Sequence, residues 1–162
     1  MRVSLTAVKT LSFITICLIS AFCLPLASAQ THGVGLEIRS GQNCLDAQAD
    51  RQADATPIII HPCHGKENQR WTLTVGEHGP SAIVGPGGYC LDVRGGANAE
   101  NTPTMLYRCH FGENQLFRLE SDGTIREAKS GKCLTPKDAK PYPTVVLDTC
   151  SGAANQKWQF ER

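Results

Sequence analysis

Aromatic residues are scarce in this chain, at 6% of 162 residues, and charged residues make up only 19%. Past the first thirty residues no apolar run is long enough to span a bilayer as a helix. No segment sustains the apolar period of a helix longer than a turn. Also missing are Gly-x-Ser-x-Gly, His-Glu-x-x-His and a phosphate-binding glycine loop, so three common catalytic chemistries lack their residues. Charge of one sign is missing too, because 16 Lys and Arg stand against 15 Asp and Glu. Without a field there is no general attraction to nucleic acid or to an anionic membrane, and a neutral partner is expected.

The N-terminus reads as an export signal. Arg2 and Lys9 give a positive start, Leu11 to Leu26 is mostly apolar, and Ala27-Ser28-Ala29 supplies small residues for cleavage. The apolar stretch is short and broken by Thr, Ser and Pro25, which argues against a retained membrane span. A lipid-anchor reading through Cys23 is disfavoured by the bulky Phe22 before it. The expected organisation is a signal peptide over 1–29 and one domain over 30–162. The mature chain then has 133 residues, with 14 basic against 15 acidic side chains, which fits one compact domain. A secreted or periplasmic location follows.

One pattern is present three times. Cys44-Leu45-Asp46 is followed by Cys63 and Asn68-Gln69-Arg70-Trp71. Cys90-Leu91-Asp92 is followed by Cys109 and Asn114-Gln115-Leu116-Phe117. Cys133-Leu134-Thr135 is followed by Cys150 and Asn155-Gln156-Lys157-Trp158. The first cysteines lie 46 and 43 residues apart. A unit of that length cannot bury a core of its own, and three copies closing on one another can. Six cysteines remain after the leader and allow 15 pairings. The repeat selects Cys44–Cys63, Cys90–Cys109 and Cys133–Cys150, which an oxidising compartment would maintain.

Each unit, approximately 34–77, 78–122 and 123–162, reads as four short strands. The first has 34–40, 44–48, 57–63 and 70–75. The second has 81–84, 89–94, 104–109 and 116–120, and the third has 124–128, 132–136, 144–149 and 157–161. Ser40-Gly41, Pro86-Gly87-Gly88 and Ser130-Gly131 supply hairpin turns between first and second strands. Pro57, Pro103 and Pro143 are expected to end each long loop outside the ladder. Leu45, Leu91 and Leu134 share one apolar position, and Trp71, Phe117 and Trp158 share another. Aromatics recurring at one position are expected in the core. The glutamines two places earlier are expected to pair with backbone where strands meet. The fold class is all-β and closed.

These residues resemble the ricin-type β-trefoil lectin family. The triplicated Cys-Leu-Asp, second cysteine and Gln-x-Trp cover essentially the whole mature chain. The resemblance implies a β-trefoil of twelve short strands in three pseudo-symmetric repeats, with one shallow sugar pocket available to each. It implies an Asp that accepts from sugar hydroxyls, an aromatic plate for the apolar ring face, an Asn beside the glutamine, and a polar rim residue. A sugar has a face of C–H groups and an edge of hydroxyls, so a flat plate beside a carboxylate and an amide suits it.

The second repeat matches best, with Asp92, Tyr107 and Asn114 beside Gln115, though Met105 takes the rim position. The first has Asp46, Asn68 and Gln69, with His61 as the plate and Ile59 at the rim. Imidazole is a smaller plate than phenol and can take up charge near neutral pH. The third has Thr135 for the carboxylate and Asp148 for the plate, so no site of this kind is expected there.

No metal or other cofactor is expected. Cys63 is taken by its bridge, and strand alternation places His61 and His64 on opposite faces if the strand continues. No catalysis is expected either. Asp46 and Asp92 belong to different lobes, too far apart for paired carboxylate chemistry at roughly 5–10 Å. The expected function is a secreted, non-catalytic lectin for glycans of the galactose or N-acetylgalactosamine type. The alternative is a trefoil interaction module, docking to a protein partner that carries catalysis in a larger toxin or enzyme. Such a partner would meet the loops 48–56 and 97–102.

Overall fold

A computed structural model describes residues 35–74, 79–137 and 140–162. The leader expected over 1–29 lies outside the described residues. Twelve strands follow in chain order. The first repeat has β1 (Glu37–Ser40), β2 (Asn43–Ala47), β3 (Ile58–Pro62) and β4 (Thr72–Thr74). The second has β5 (Ala82–Val84), β6 (Cys90–Val93), β7 (Thr102–Tyr107) and β8 (Phe117–Leu119). The third has β9 (Ile125–Glu127), β10 (Cys133–Lys137), β11 (Thr144–Asp148) and β12 (Gln159–Glu161). All twelve fall within the expected strand positions or a residue or two of them.

The first and last strands of the repeats close a barrel. β1 pairs with β12, β4 with β5 and β8 with β9, all antiparallel. Within each repeat the ring is completed by Leu36 opposite Trp71, by Ser81 opposite Phe117, and by the Trp158 N–H on the Gly123 carbonyl at 2.8 Å. Pairing across repeat boundaries leaves no sheet edge there, which disposes of a liability of short open sheets. The middle strands form hairpins β2–β3, β6–β7 and β10–β11. The hairpins meet as a triangle through Thr144 opposite Ile59, Val146 opposite Pro103 and Pro57 opposite Met105.

The core receives side chains from every repeat, among them Leu45, Leu91 and Leu134, each fully buried. Trp71, Phe117 and Trp158 sit inside it as expected, at 1%, 0% and 3% exposure. The indole N–H of Trp71 donates to the Leu45 carbonyl at 3.0 Å, and that of Trp158 to the Leu134 carbonyl at 3.1 Å. A buried tryptophan needs such a partner, and Phe117 in the second repeat needs none. Trp71 also explains Gly85. A Cβ built there would lie 2.4 Å from the indole, so only glycine lets the chain pass.

The disulfides are the three the repeat selects. The expected hairpin turns hold Gly41, Gly87, Gly88 and Gly131 in the left-handed region that favours glycine. The placement of Pro103 differs from expectation. It is the second residue of β7 and lies inside the ladder opposite Val146. The neighbouring ladder bond, from the Asn101 N–H to the Leu147 carbonyl at 2.9 Å, needs nothing from a proline nitrogen.

Candidate functional site

Each repeat builds one hydrogen-bonded unit around its glutamine, at the end of a single 3-10 turn after the second cysteine. The turns are Glu67–Gln69, Glu113–Gln115 and Ala154–Gln156. The side-chain oxygens accept from the His64, His110 and Ser151 backbone N–H groups at 2.9, 2.8 and 2.7 Å. The amide nitrogens donate to the Pro62, Arg108 and Thr149 carbonyls. They donate also to Asp46 Oδ2 at 2.8 Å, Asp92 Oδ2 at 2.8 Å and Thr135 Oγ1 at 2.9 Å. Glutamine alone supplies donor and acceptor at that reach. Gln69 and Gln115 are completely buried. The sequence pattern points to backbone pairing, which the Pro62 and Arg108 carbonyls supply, while the family resemblance sets both glutamines beside the sugar contacts. Completely buried, they act by fixing the aspartates.

In the second repeat, Asp92 lies across the hairpin from Met105, and Tyr107 lies opposite Cys90. Asp92 and Tyr107 are therefore diagonal neighbours on one sheet face, a separation of roughly 7–8 Å between backbones. Asn114 donates to Asp92 Oδ2 at 2.9 Å and to the Val93 carbonyl at 3.3 Å. Tyr107 and Asn114 are half-buried, whereas Asp92 is only 2% exposed and forms the floor. Among the described residues every polar contact to this carboxylate falls on Oδ2. Oδ1 is left to accept from a ligand. Burial pushes the Asp92 carboxyl above its usual range, opposed by the Gln115 amide, the His110 charge and the Asn114 amide.

His110 is a member of the site that the sequence reading did not single out. Its Nδ1 accepts the Gly112 N–H at 3.1 Å, so the neutral ring carries its proton on Nε2, which faces Asp92 Oδ2 at 3.5 Å. Its ring meets Tyr107 edge-on, with centroids 6.1 Å apart. The signal was present in the repeat, because His64, His110 and Ser151 each follow a second cysteine.

The first repeat copies this arrangement with changes. His64 Nε2 faces Asp46 Oδ2 at 3.5 Å, and His64 Nδ1 accepts the Lys66 N–H at 3.3 Å. Asn68 is buried, donates to the Ala47 carbonyl at 3.4 Å, and leaves Oδ1 without a donor. Burial raises the Asp46 carboxyl as well, opposed first by the Gln69 amide. His61 takes the plate position, but Tyr142 from the third repeat stacks on it at 4.4 Å and 29°. One face of that ring is already covered.

The third repeat has no carboxylate on the floor. Thr135 is buried and donates to the Cys133 carbonyl at 3.1 Å. Asp148 pairs with Lys137 at 2.6 Å, and that contact holds its carboxyl below the usual range.

The family model for the ricin-type beta-trefoil lectin domain matches residues 79–162, and a second, for a ricin-type beta-trefoil lectin domain-like family, matches 24–107. The chain belongs to the ricin-type β-trefoil lectin family. This lectin domain is a carbohydrate-binding module of the β-trefoil fold. The designed threefold-symmetric protein ThreeFoil is 25% identical to it, with a TM-score of 0.73 over 78% of this chain and 97% of its own. A non-toxic homologue of type II RIPs from Momordica charantia, solved with α-methyl-D-galactoside, is 22% identical. Its TM-score is 0.66 over 78% of this chain and 48% of its own. The probable lipoprotein EnvE of Salmonella typhimurium (strain LT2) is 47% identical over 34 residues, which are 21% of the lectin and 20% of EnvE. That match therefore spans about a fifth of the relative's length. In the lectin no described helix is long and apolar enough to cross a membrane.

Proposed function

We propose that the protein is an exported, non-catalytic lectin whose principal glycan site is the second repeat, and that it prefers galactose or N-acetylgalactosamine. The observation that carries the reading is the constellation of Asp92 and Tyr107 on one hairpin face with Asn114 from the following 3-10 turn, and His110 in contact with both carboxylate and ring. Tyr107 stacks on the apolar face of the sugar. Asp92 Oδ1 accepts from adjacent hydroxyls through charge-assisted bonds. Asn114 Oδ1, with its amide nitrogen already engaged, accepts at the edge. The galactoside held by the bitter gourd protein, which shares the fold, makes galactose the sugar to test first. Met105, buried at 9% exposure in the position that the family gives to a polar rim residue, is the feature that would redirect the choice. The first repeat is the second candidate, through Asp46, Asn68 and His61.

A single shallow site of this kind binds on the order of 0.1–1 mM, about −4 to −5.5 kcal/mol. Clustered glycans that engage two sites tighten it through effective concentration. A glycan array with the disulfide-intact protein tests the reading. Signal on terminal galactosides, lost in Asp92→Asn, is the expected outcome. A silent array, with a protein from the native secretome retained against free sugar, favours the docking module over the lectin.

A further inference from the structure

Asp46, His61 and His64 converge. One nitrogen of each ring and one carboxylate oxygen lie within 4.8 Å of one another. Alternation along a continuing strand would have parted the two histidines. Instead β3 ends at Pro62, the disulfide draws Cys63 back to Cys44, and Gly65 turns the chain at φ +71. The two rings meet edge-on with centroids 5.2 Å apart. We propose that this cluster is a binding site for a divalent transition-metal ion of the zinc class, held by two imidazoles and one carboxylate.

The donor set suits zinc, copper or nickel better than magnesium or calcium, which take oxygen ligands. Bonds of about 2.0–2.2 Å set tetrahedral donors roughly 3.4 Å apart. Asp46 Oδ2 and His64 Nε2 already stand 3.5 Å apart. The longer separations close by rotation of imidazole rings at the surface. The supporting bonds are in place. His61 Nδ1 lies 3.0 Å from the Pro62 carbonyl and donates to it, which leaves Nε2 as the lone-pair nitrogen. Tyr142 stacks on one face of that ring. Gln69 holds the carboxylate from beneath. On loading, the His64 proton moves from Nε2 to Nδ1, and the exposed Lys66 N–H turns from the ring to water.

The carboxylate itself calls for a cation. Asp46 is 2% exposed, and among the described residues no lysine or arginine pairs with it. The other repeats lack the full set. The second keeps Asp92 and His110 but has Tyr107 in place of His61, and the third has Thr135 and Ser151. The site is thus confined to the first lobe, where the ion and a sugar would compete for Asp46.

Zinc titration of the full protein against a chromophoric chelator tests the proposal, with His61→Tyr and His64→Ser as variants. Each substitution installs the residue that another repeat carries at the same place, so the fold tolerates it. Far-UV circular dichroism verifies that it does. The expected result is one tight equivalent in the wild type, weakened by at least about tenfold in each variant. Equal zinc affinity in all three proteins, or no zinc retained by the wild type, overturns the proposal. The readout uses no sugar, so its failure is separate from failure of the glycan reading.

Discussion

Asp46 and Asp92 are carboxylates sunk beneath the surface, and their environment sets a pH response that differs for folding and for binding. Burial raises both above the ordinary value of 3.8. The folded chain therefore holds these two protons more tightly than the unfolded chain does, so acidification favours folding at these positions. That contribution is present below 3.8 and fades as pH rises through the raised values. Sugar binding runs the other way, because a protonated Asp92 offers a neutral carboxyl in place of a charged acceptor. Titration calorimetry as pH falls through the raised value is expected to show affinity lost while circular dichroism stays native. Affinity retained well below pH 3.8 would remove Asp92 from the site. Asp92→Asn reproduces the neutral state at pH 7. The loss expected there is about 1.5–3 kcal/mol, roughly 10- to 160-fold in Kd, since a hydrogen bond to a charged group is exchanged for a neutral one.

The element that matters most is the 3-10 turn that ends in glutamine. It carries little regular structure of its own, yet its last residue ties the second cysteine loop, the turn and the floor of the pocket together. Gln115 accepts from the His110 and Phe111 N–H groups and donates to Asp92 and the Arg108 carbonyl. Gln115→Ala leaves those groups without partners in a buried setting. The expected destabilisation is about 3 kcal/mol or more, read as a lower urea midpoint at unchanged slope. Loss of sugar binding follows, because Asp92 is no longer held. The sequence marked this glutamine as structural from its position before a core aromatic. It did not reveal that the same amide grips the carboxylate. That link needs β6 and the turn side by side, and they are brought together by residues 22 and 23 positions apart.

At the scale of the whole molecule, the three repeats share one barrel and one triangle of hairpins, and each repeat carries its own crosslink. The loops closed are 19, 19 and 17 residues. Removal of the third bridge by a Cys133→Ala, Cys150→Ala double substitution is expected to cost roughly 3 kcal/mol, seen as a lower melting temperature. Its repeat has no carboxylate floor, so second-lobe sugar affinity should survive at temperatures where the variant is folded. A coupled loss of binding would mean that the lobes are less independent than the repeat implies.

The repeat in the sequence determined the twelve strands, the cysteine pairs and the core aromatics. Each follows from residue type at a fixed spacing, which one linear pattern records three times. Only the tertiary structure decided that Tyr142 from the third repeat covers His61 in the first, that His110 meets both Asp92 and Tyr107, and that His64 turns back towards Asp46. These are meetings of side chains across strand ends, loops and repeats. They depend on where the chain stops being a strand, at Pro62 and at Tyr107, and no local period in the sequence encodes that.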